Sequence, residues 1–233
     1  MPVAESSSGS SRRGRGTDAP PYDRLVTVFS SEGRLYQVDY AWNAVRLAGV
    51  TSVGVRGADS VCVVGQRKAP KAKDKLLDAA SVSRLFPITE RMGLLTAGIA
   101  GDGRSLAHEA RNQSAEFRFT WGYEMPPDVL AQWIADRAQI CTQHVSKRPS
   151  GVVAMILGID EEKETPQLFT CDPAGYFLGH KMAISALRHA LQGDLKATEI
   201  EVGVVRNDDP IFRLLTEAEI EEHLKAITTL KQS

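Results

Sequence analysis

The chain has 233 residues, enough for one large domain that buries about 70% of the surface its unfolded form exposes, and no second core is needed. It carries 28 Lys plus Arg against 29 Asp plus Glu, a formal net charge of −1, which excludes a general electrostatic attraction to nucleic acid or membrane. No apolar run approaches the ~20 residues of a bilayer span, and the N-terminus lacks the apolar core of a signal peptide, so a soluble intracellular protein is expected.

Residues 1–21 are rich in Ser, Arg, Gly and Pro and nearly devoid of large apolar side chains. They cannot offset their own ordering entropy and are expected to form a flexible tail ahead of a single domain, 22–233. Arg12, Arg13 and Arg15 read as solvated charge. From Tyr22 to Leu47 a short strand is expected to lead into an amphipathic helix. Ser30 or Ser31 can cap that helix, Glu32 adds negative charge at its positive end, and Gly49 can stop it. Leu35, Val38, Trp42 and Val45 recur at helical spacing, with Tyr36, Tyr40, Ala44 and Leu47 as a neighbouring stripe. So broad an apolar surface must lie against something.

Thr51 to Val55 and Val61 to Val64 read as a hairpin turning at Gly57-Ala58-Asp59, followed by a basic loop from Gln66 to Lys75. A second strand pair is expected at Arg84 to Thr89 and Gly93 to Gly98. Two helices follow. The first, about Gly103 to Trp121, places Leu106, Ala110, Phe117 and Trp121 on one face. The second starts near Pro126 and runs to about His144, with Leu130, Ile134, Cys141 and Val145 as its stripe. Strands return at Val152 to Ile159, Gln167 to Cys171 and Tyr176 to Gly179, with Asp172-Pro173-Ala174-Gly175 as a turn. A short helix from about Ala183 to Leu191 and strands at Glu199 to Val205 and Ile211 to Leu214 lead to a final helix. Its cap is Thr216, with Glu219 at the capping-box position. Hairpins separated by helix pairs predict an α+β fold built on antiparallel sheets.

The run Tyr22-Asp23-Arg24, then Gly33-Arg34-Leu35-Tyr36-Gln37-Val38-Asp39-Tyr40-Ala41, closely resembles the N-terminal signature of alpha-type subunits of the 20S proteasome. Arg148-Pro149-Ser150-Gly151, Gly158-Ile159-Asp160 and Cys171-Asp172-Pro173-Ala174-Gly175 resemble further markers of that family. Segments 201–205 and 212–220 are similar to its alpha type-6 branch. The resemblance implies a four-layer αββα sandwich, two antiparallel sheets flanked by helices, of the N-terminal nucleophile hydrolase kind. It implies other alpha subunits in a seven-membered ring, beta-ring subunits, and the C-terminal tails of a regulatory particle or activator as partners, in the cytoplasm and nucleus. Nucleic acid and membrane are not among them. Near 181–183 the family usually carries a strand end and an outer helix that this chain lacks, so a deletion is expected there.

By the same resemblance, Tyr22, Asp23, Arg24 and Tyr40 match the cluster that orders the gate. Two phenols, a carboxylate and a guanidinium can form one hydrogen-bonded network. Ser31 stands where the family usually has proline. Gly49 and Arg84 match the pocket for an activator-tail carboxylate, with Arg84 in place of a lysine. In the beta subunits of that particle a terminal threonine hydroxyl is activated by its own amine. Here that position falls on Val50, the acid position on Gln66 and the lysine position on Arg84. Valine has no nucleophilic atom, so a non-catalytic subunit is expected.

Two rival chemistries read weakly. Residues Gly98 to Ser105 are one residue away from the phosphate-binding pattern G-x-x-x-x-G-K-[ST], but Arg104 replaces the lysine and the surrounding hairpins do not suggest a parallel sheet. A tight strand-to-helix turn is the expected reading. Cys62, Cys141 and Cys171 are odd in number and widely spaced, as free thiols would be. Cys141 and His144 lie three apart with no second pair at comparable spacing, so neither a metal nor another cofactor is expected. The alternative to a ring subunit is a stand-alone binding or scaffold module of the same fold, which would be a stable lone species.

Overall fold

The computed structural model describes residues 20–67, 82–180 and 197–232, with side chains through 225. The tail up to Ala19, most of the basic loop, the helix expected near 183–191 and the deletion expected near 181–183 lie outside the described residues. The described residues open with α1 (Pro21–Arg24), a single turn with proline at its first position, and α2 (Tyr36–Ala48). A short strand was expected ahead of the helix, and none forms over residues 20–35. Pro21 pre-sets the helical φ and donates no hydrogen bond, so it starts a turn instead.

β1 (Ser52–Arg56) and β2 (Ser60–Gln66) form the first hairpin, and β3 (Leu85–Thr89) and β4 (Met92–Gly98) the second. α3 (Ala100–Trp121) and α4 (Pro127–Gln143) follow, then β5 (Val152–Ile159), β6 (Pro166–Cys171) and β7 (Phe177–Gly179). β8 (Ile200–Arg206), β9 (Arg213–Leu214) and α5 (Glu217–Gln232) end the chain. Two antiparallel sheets result, in the orders β1-β2-β8-β9 and β3-β4-β5-β6-β7.

Strand alternation explains why these sheets stack. In β2, Val61 and Val63 point into one core with Leu85, Leu95, Leu157, Leu168 and Val205, while Cys62 and Val64 point into another with Val202 and Ile220 of α5. In β4 and β5, Leu94, Ala154 and Ile156 face Ala107, Ala110, Leu130 and Ile134 of α3 and α4. Both sheets are therefore apolar on both faces, and each outer face must be covered by helices. The outcome is four layers in the order α3 and α4, the five-stranded sheet, the four-stranded sheet, and α5, as the resemblance implied. The capping box of α5 is formed: the Thr216 N–H donates to Glu219 Oε2 at 2.8 Å and the Glu219 N–H to Thr216 Oγ1 at 3.4 Å.

The face α3 buries differs from the expected one. Gly103, Ala107, Ala110 and Ser114 are buried, Leu106 and Phe117 sit at the margin, and Trp121 is 65% exposed. Small residues win because they let the helix lie close on the sheet. Val145, expected on the stripe of α4, lies beyond its end and is exposed.

Asp102, in the first turn of α3, anchors the turn before β5. It accepts hydrogen bonds from Arg148 Nη1 at 2.8 Å, Arg148 Nη2 at 2.6 Å and the Gly151 N–H at 3.0 Å. The Arg148 hydrogen bonds hold the Asp102 carboxyl below its ordinary 3.8, although burial opposes this. A lowered carboxyl stabilises the fold above its unfolded value and loses that contribution as the pH falls through the folded one. Asp102→Asn is therefore expected to lower stability at pH 7 by about 1 kcal/mol, discounted for the exposed Arg148. Urea midpoints of the two proteins should begin to converge below about pH 5 and go on converging as the pH falls past 3.8. A gap that stays constant on acidification would contradict this role.

Candidate gate corner and docking end

Ser30, not Ser31, organises the approach to α2. Its Oγ accepts hydrogen bonds from the Glu32 N–H at 3.3 Å and the Arg34 N–H at 3.2 Å, and its own N–H donates to the Arg34 carbonyl at 2.9 Å. This closes a tight loop ahead of the helix, so the helix begins at Tyr36 with Leu35 at its cap and no side-chain cap. Ser31 is exposed. At the other end Gly49 adopts the left-handed conformation (φ 57°, ψ 36°) and its N–H donates to the Arg46 carbonyl. That conformation disfavours a side chain, which is why the helix stops there.

Only part of the apolar surface of α2 is covered within the chain. Ala41 is buried and Ala44 faces Gly151, where β5 begins, while Tyr40 is 46% and Leu47 85% exposed. α1 folds back on α2. The Tyr40 hydroxyl donates to Asp23 Oδ1, and Gln37 Nε2 donates to the Asp23 carbonyl. The Tyr22 ring meets Tyr36 edge-on at 5.5 Å, and Tyr36 lies 6.3 Å from Tyr40. The hydrogen bond to Asp23 raises the Tyr40 phenol above its ordinary 10.0, keeping it protonated and donating at neutral pH.

Of the expected cluster, Tyr22, Asp23 and Tyr40 are thus brought together. Arg24 is exposed, and its guanidinium has no partner among the described residues. Tyr36 and Gln37 join the cluster unannounced. Helical spacing carried the signal, since Tyr36 and Gln37 lie four and three residues before Tyr40 on its face of the helix.

The second expected site lies at one end of the sandwich, where β1, β5 and β8 start and β2 and β4 end. Gln66 Oε1 accepts the Thr51 N–H at 3.4 Å. Arg84 Nη1 donates to the Gly98 carbonyl at 2.7 Å, while its Nε is buried without a partner among the described residues. Burial pulls the Arg84 guanidinium below its ordinary value, against the opposing pull of the Glu201 carboxylate.

Glu201 is the residue that sequence reading missed. Its carboxylate accepts Arg67 Nε at 3.0 Å, Ser83 Oγ at 3.2 Å and the Arg84 N–H at 3.1 Å, which staples β8 in one sheet to the chain entering β3 in the other. The signal was a lone carboxylate in Ile200-Glu201-Val202-Gly203-Val204-Val205, at the parity that points Gly203 and Val205 between the sheets. At the position where a nucleophile would stand, Val50 follows directly on the cap of α2 and offers only carbon atoms.

Residues 98–105 form no phosphate cradle. α3 already begins at Ala100, and the Gly103 N–H that would face a phosphate donates to the Ile99 carbonyl at 3.0 Å. Among the described residues no three His, Cys, Asp or Glu side chains are grouped to hold a metal, and no helix is long and apolar enough to cross a membrane.

The family pattern for the N-terminal signature of A-type proteasome subunits matches residues 22–44, the corner built by α1 and α2, and the pattern for the proteasome subunit itself matches residues 47–197. The chain belongs to the proteasome subunit family, in its alpha type. It is 41% identical to the probable proteasome subunit alpha type-1 of Schizosaccharomyces pombe, over 91% of this chain and 98% of that one. It is 31% identical to proteasome subunit alpha type-6 of Caenorhabditis elegans over the same shares. An archaeal relative, proteasome subunit alpha of Methanosarcina acetivorans, is 33% identical over 88% of this chain and 93% of its own length. As a proteasome alpha subunit the chain is a non-catalytic ring component of the 20S core and assembles with other subunits there. The α1 and α2 corner is thus a property of the alpha type, set against the domain that alpha-type chains share with the rest of the family.

Proposed function

We propose that this subunit takes one place in a seven-membered outer alpha ring, stacked on beta rings that carry the threonine active sites, and that its α1 and α2 corner directs the N-terminal segment at the gated entrance. The observation that carries this reading is the grip on Asp23. The Tyr40 hydroxyl and the Gln37 amide hold its carboxylate and its carbonyl at once, fixing where the chain before Pro21 leaves the domain. Arg24, turned outward, is available to a neighbouring alpha subunit. The exposed Phe29, Leu47, Phe119 and Trp121 supply the apolar surface that ring and inter-ring contacts bury.

Gly49 and Arg84 serve as the site for an activator or regulatory-particle C-terminal carboxylate, in the cytoplasm and nucleus. The half-buried Arg84 side chain at this end of the sandwich supports that role. With Nη1 committed to the Gly98 carbonyl, the guanidinium can offer a carboxylate only its remaining donors.

Asp23→Ala in assembled particles is the test. Without its anchor the tail exit is no longer ordered, and activator-stimulated peptide hydrolysis is expected to fall about fivefold, at the low end of usual coupling between sites. Labelling of the beta active sites by a threonine-directed inhibitor should be unchanged. Stimulated hydrolysis equal to that of the parent particle would overturn the gate role.

A further inference from the structure

Between α3, α4 and the start of β5 lies a cavity of about 270 Å³ that neither the gate corner nor the docking end uses. Its floor is apolar: Ile134, Val152, Ala154 and Cys171 are all at least nine-tenths buried. Cys141 stands on one wall and Ser150 on another, and the Ser150 hydroxyl has no hydrogen-bond partner among the described residues. Five charges rim the cavity: two cation–carboxylate pairs, and Asp172, whose Oδ1 accepts the Ala174 N–H at 2.9 Å and the Tyr176 N–H at 2.8 Å. Arg148 is held bidentately by Asp102, and Arg137 pairs with Glu109.

These features select a ligand class. Both cations are already paired and so offer no free charge to an anion, and the Asp172 carboxylate is occupied by two backbone N–H groups, whereas a desolvated apolar floor favours a ring. An apolar cavity of about 150 Å³ already accommodates benzene, so this one has room for one or two fused rings. The lone hydroxyl can accept a hydrogen bond from a ring N–H. We propose that this cavity is a binding site for a neutral, flat aromatic molecule the size of indole, seated between Cys141 and Ser150.

The thiols provide the readout. Burial pushes Cys62 to about 11 and Cys171 to about 12, so both stay protonated and inert at pH 7.5. Half-buried Cys141, on the cavity wall, is the thiol whose thiolate can displace iodide from iodoacetamide. In the full-length chain, indole at about twice its Kd is expected to slow carbamidomethylation of Cys141 about threefold and to raise Tm, because occupancy protects the thiol and stabilises the fold together.

Ser150→Phe and, independently, Ala138→Leu fill the cavity from two walls. Each should abolish the ratio of rates with and without indole, whatever its own basal rate. No slowing at any indole concentration up to its solubility would overturn the proposal. So would equal slowing in the parent and in either folded variant, which would mean that indole acts elsewhere.

Discussion

Gly98→Ala is expected to lower the stability of the chain by about 3 kcal/mol or more, a fall in Tm of roughly 6–12 °C for a protein of this size. Gly98 ends β4 at φ 137°, and a Cβ there would stand 2.1 Å from the Gly151 carbonyl oxygen. The Cβ is fixed by the backbone that bears it and meets a backbone oxygen, so no flexible side-chain tip can yield. The same carbonyl accepts the Ile99 N–H at 2.9 Å, and Gly151 also receives Ile99 and Ala44 on its open face. Any shift that relieves the clash therefore unseats α2. Thermal unfolding reads the first effect, and faster hydrogen exchange in α2 reads the second. Gly101→Ala, three residues on, supplies the control: nothing lies within 4 Å of its added methyl. Alanine is the better helix former, so that variant should gain about 0.5 kcal/mol. If both variants lost stability equally, the close approach at Gly98 would not be the cause.

Glu201→Ala is expected to cost about 3 kcal/mol. Its side chain is only 5% exposed, and removal leaves Arg67, Ser83 and the Arg84 N–H without their shared acceptor. The figure stands at the low end for a broken buried pair because Arg67 is 20% exposed and has Glu217 at 3.9 Å as a second partner. Glu201→Gln should lose less, since its amide oxygen still accepts the Arg84 N–H. Urea titration of the three proteins orders them. A Glu201→Gln chain as unstable as Glu201→Ala would mean that charge, not hydrogen bonding, holds the two sheets at this end. The variant also bears on docking. Arg84 is positioned through its backbone by Glu201, so if the proposed docking role holds, particles carrying Glu201→Ala retain less activator-tail peptide even with the guanidinium intact.

Much of the sandwich was legible because it rests on local rules. The two hairpins, the return strands and the final capping box follow from alternation, turn residues and the Thr216 to Glu219 spacing, all of which act within a few residues. Apart from the strand displaced by the turn at Pro21, the expectations that failed were those decided by packing. Trp121 lies on the periodic face of α3, but the sheet accepts only the small residues Gly103, Ala107 and Ala110. Ser31 and Ser30 are equally plausible caps in sequence, and only the fold of residues 30–34 makes Ser30 the acceptor, at a loop instead of a helix end.

The candidate sites divide in the same way. Tyr22, Asp23 and Tyr40 were recognisable as a set from the resemblance, and Gly49 as a helix stop from its place after Leu47 and Ala48. Their spacing along the chain determined that α2 would be apolar on two stripes, because helical periodicity is a property of the sequence itself. Which stripe meets the sandwich end and which stays open, that Asp23 is gripped through two different atoms, and that Glu201 joins β8 to the entrance of β3 were decided only by the tertiary structure. Those contacts join residues 14 to 117 positions apart in the chain, and no local rule specifies which distant donor a buried carboxylate will meet.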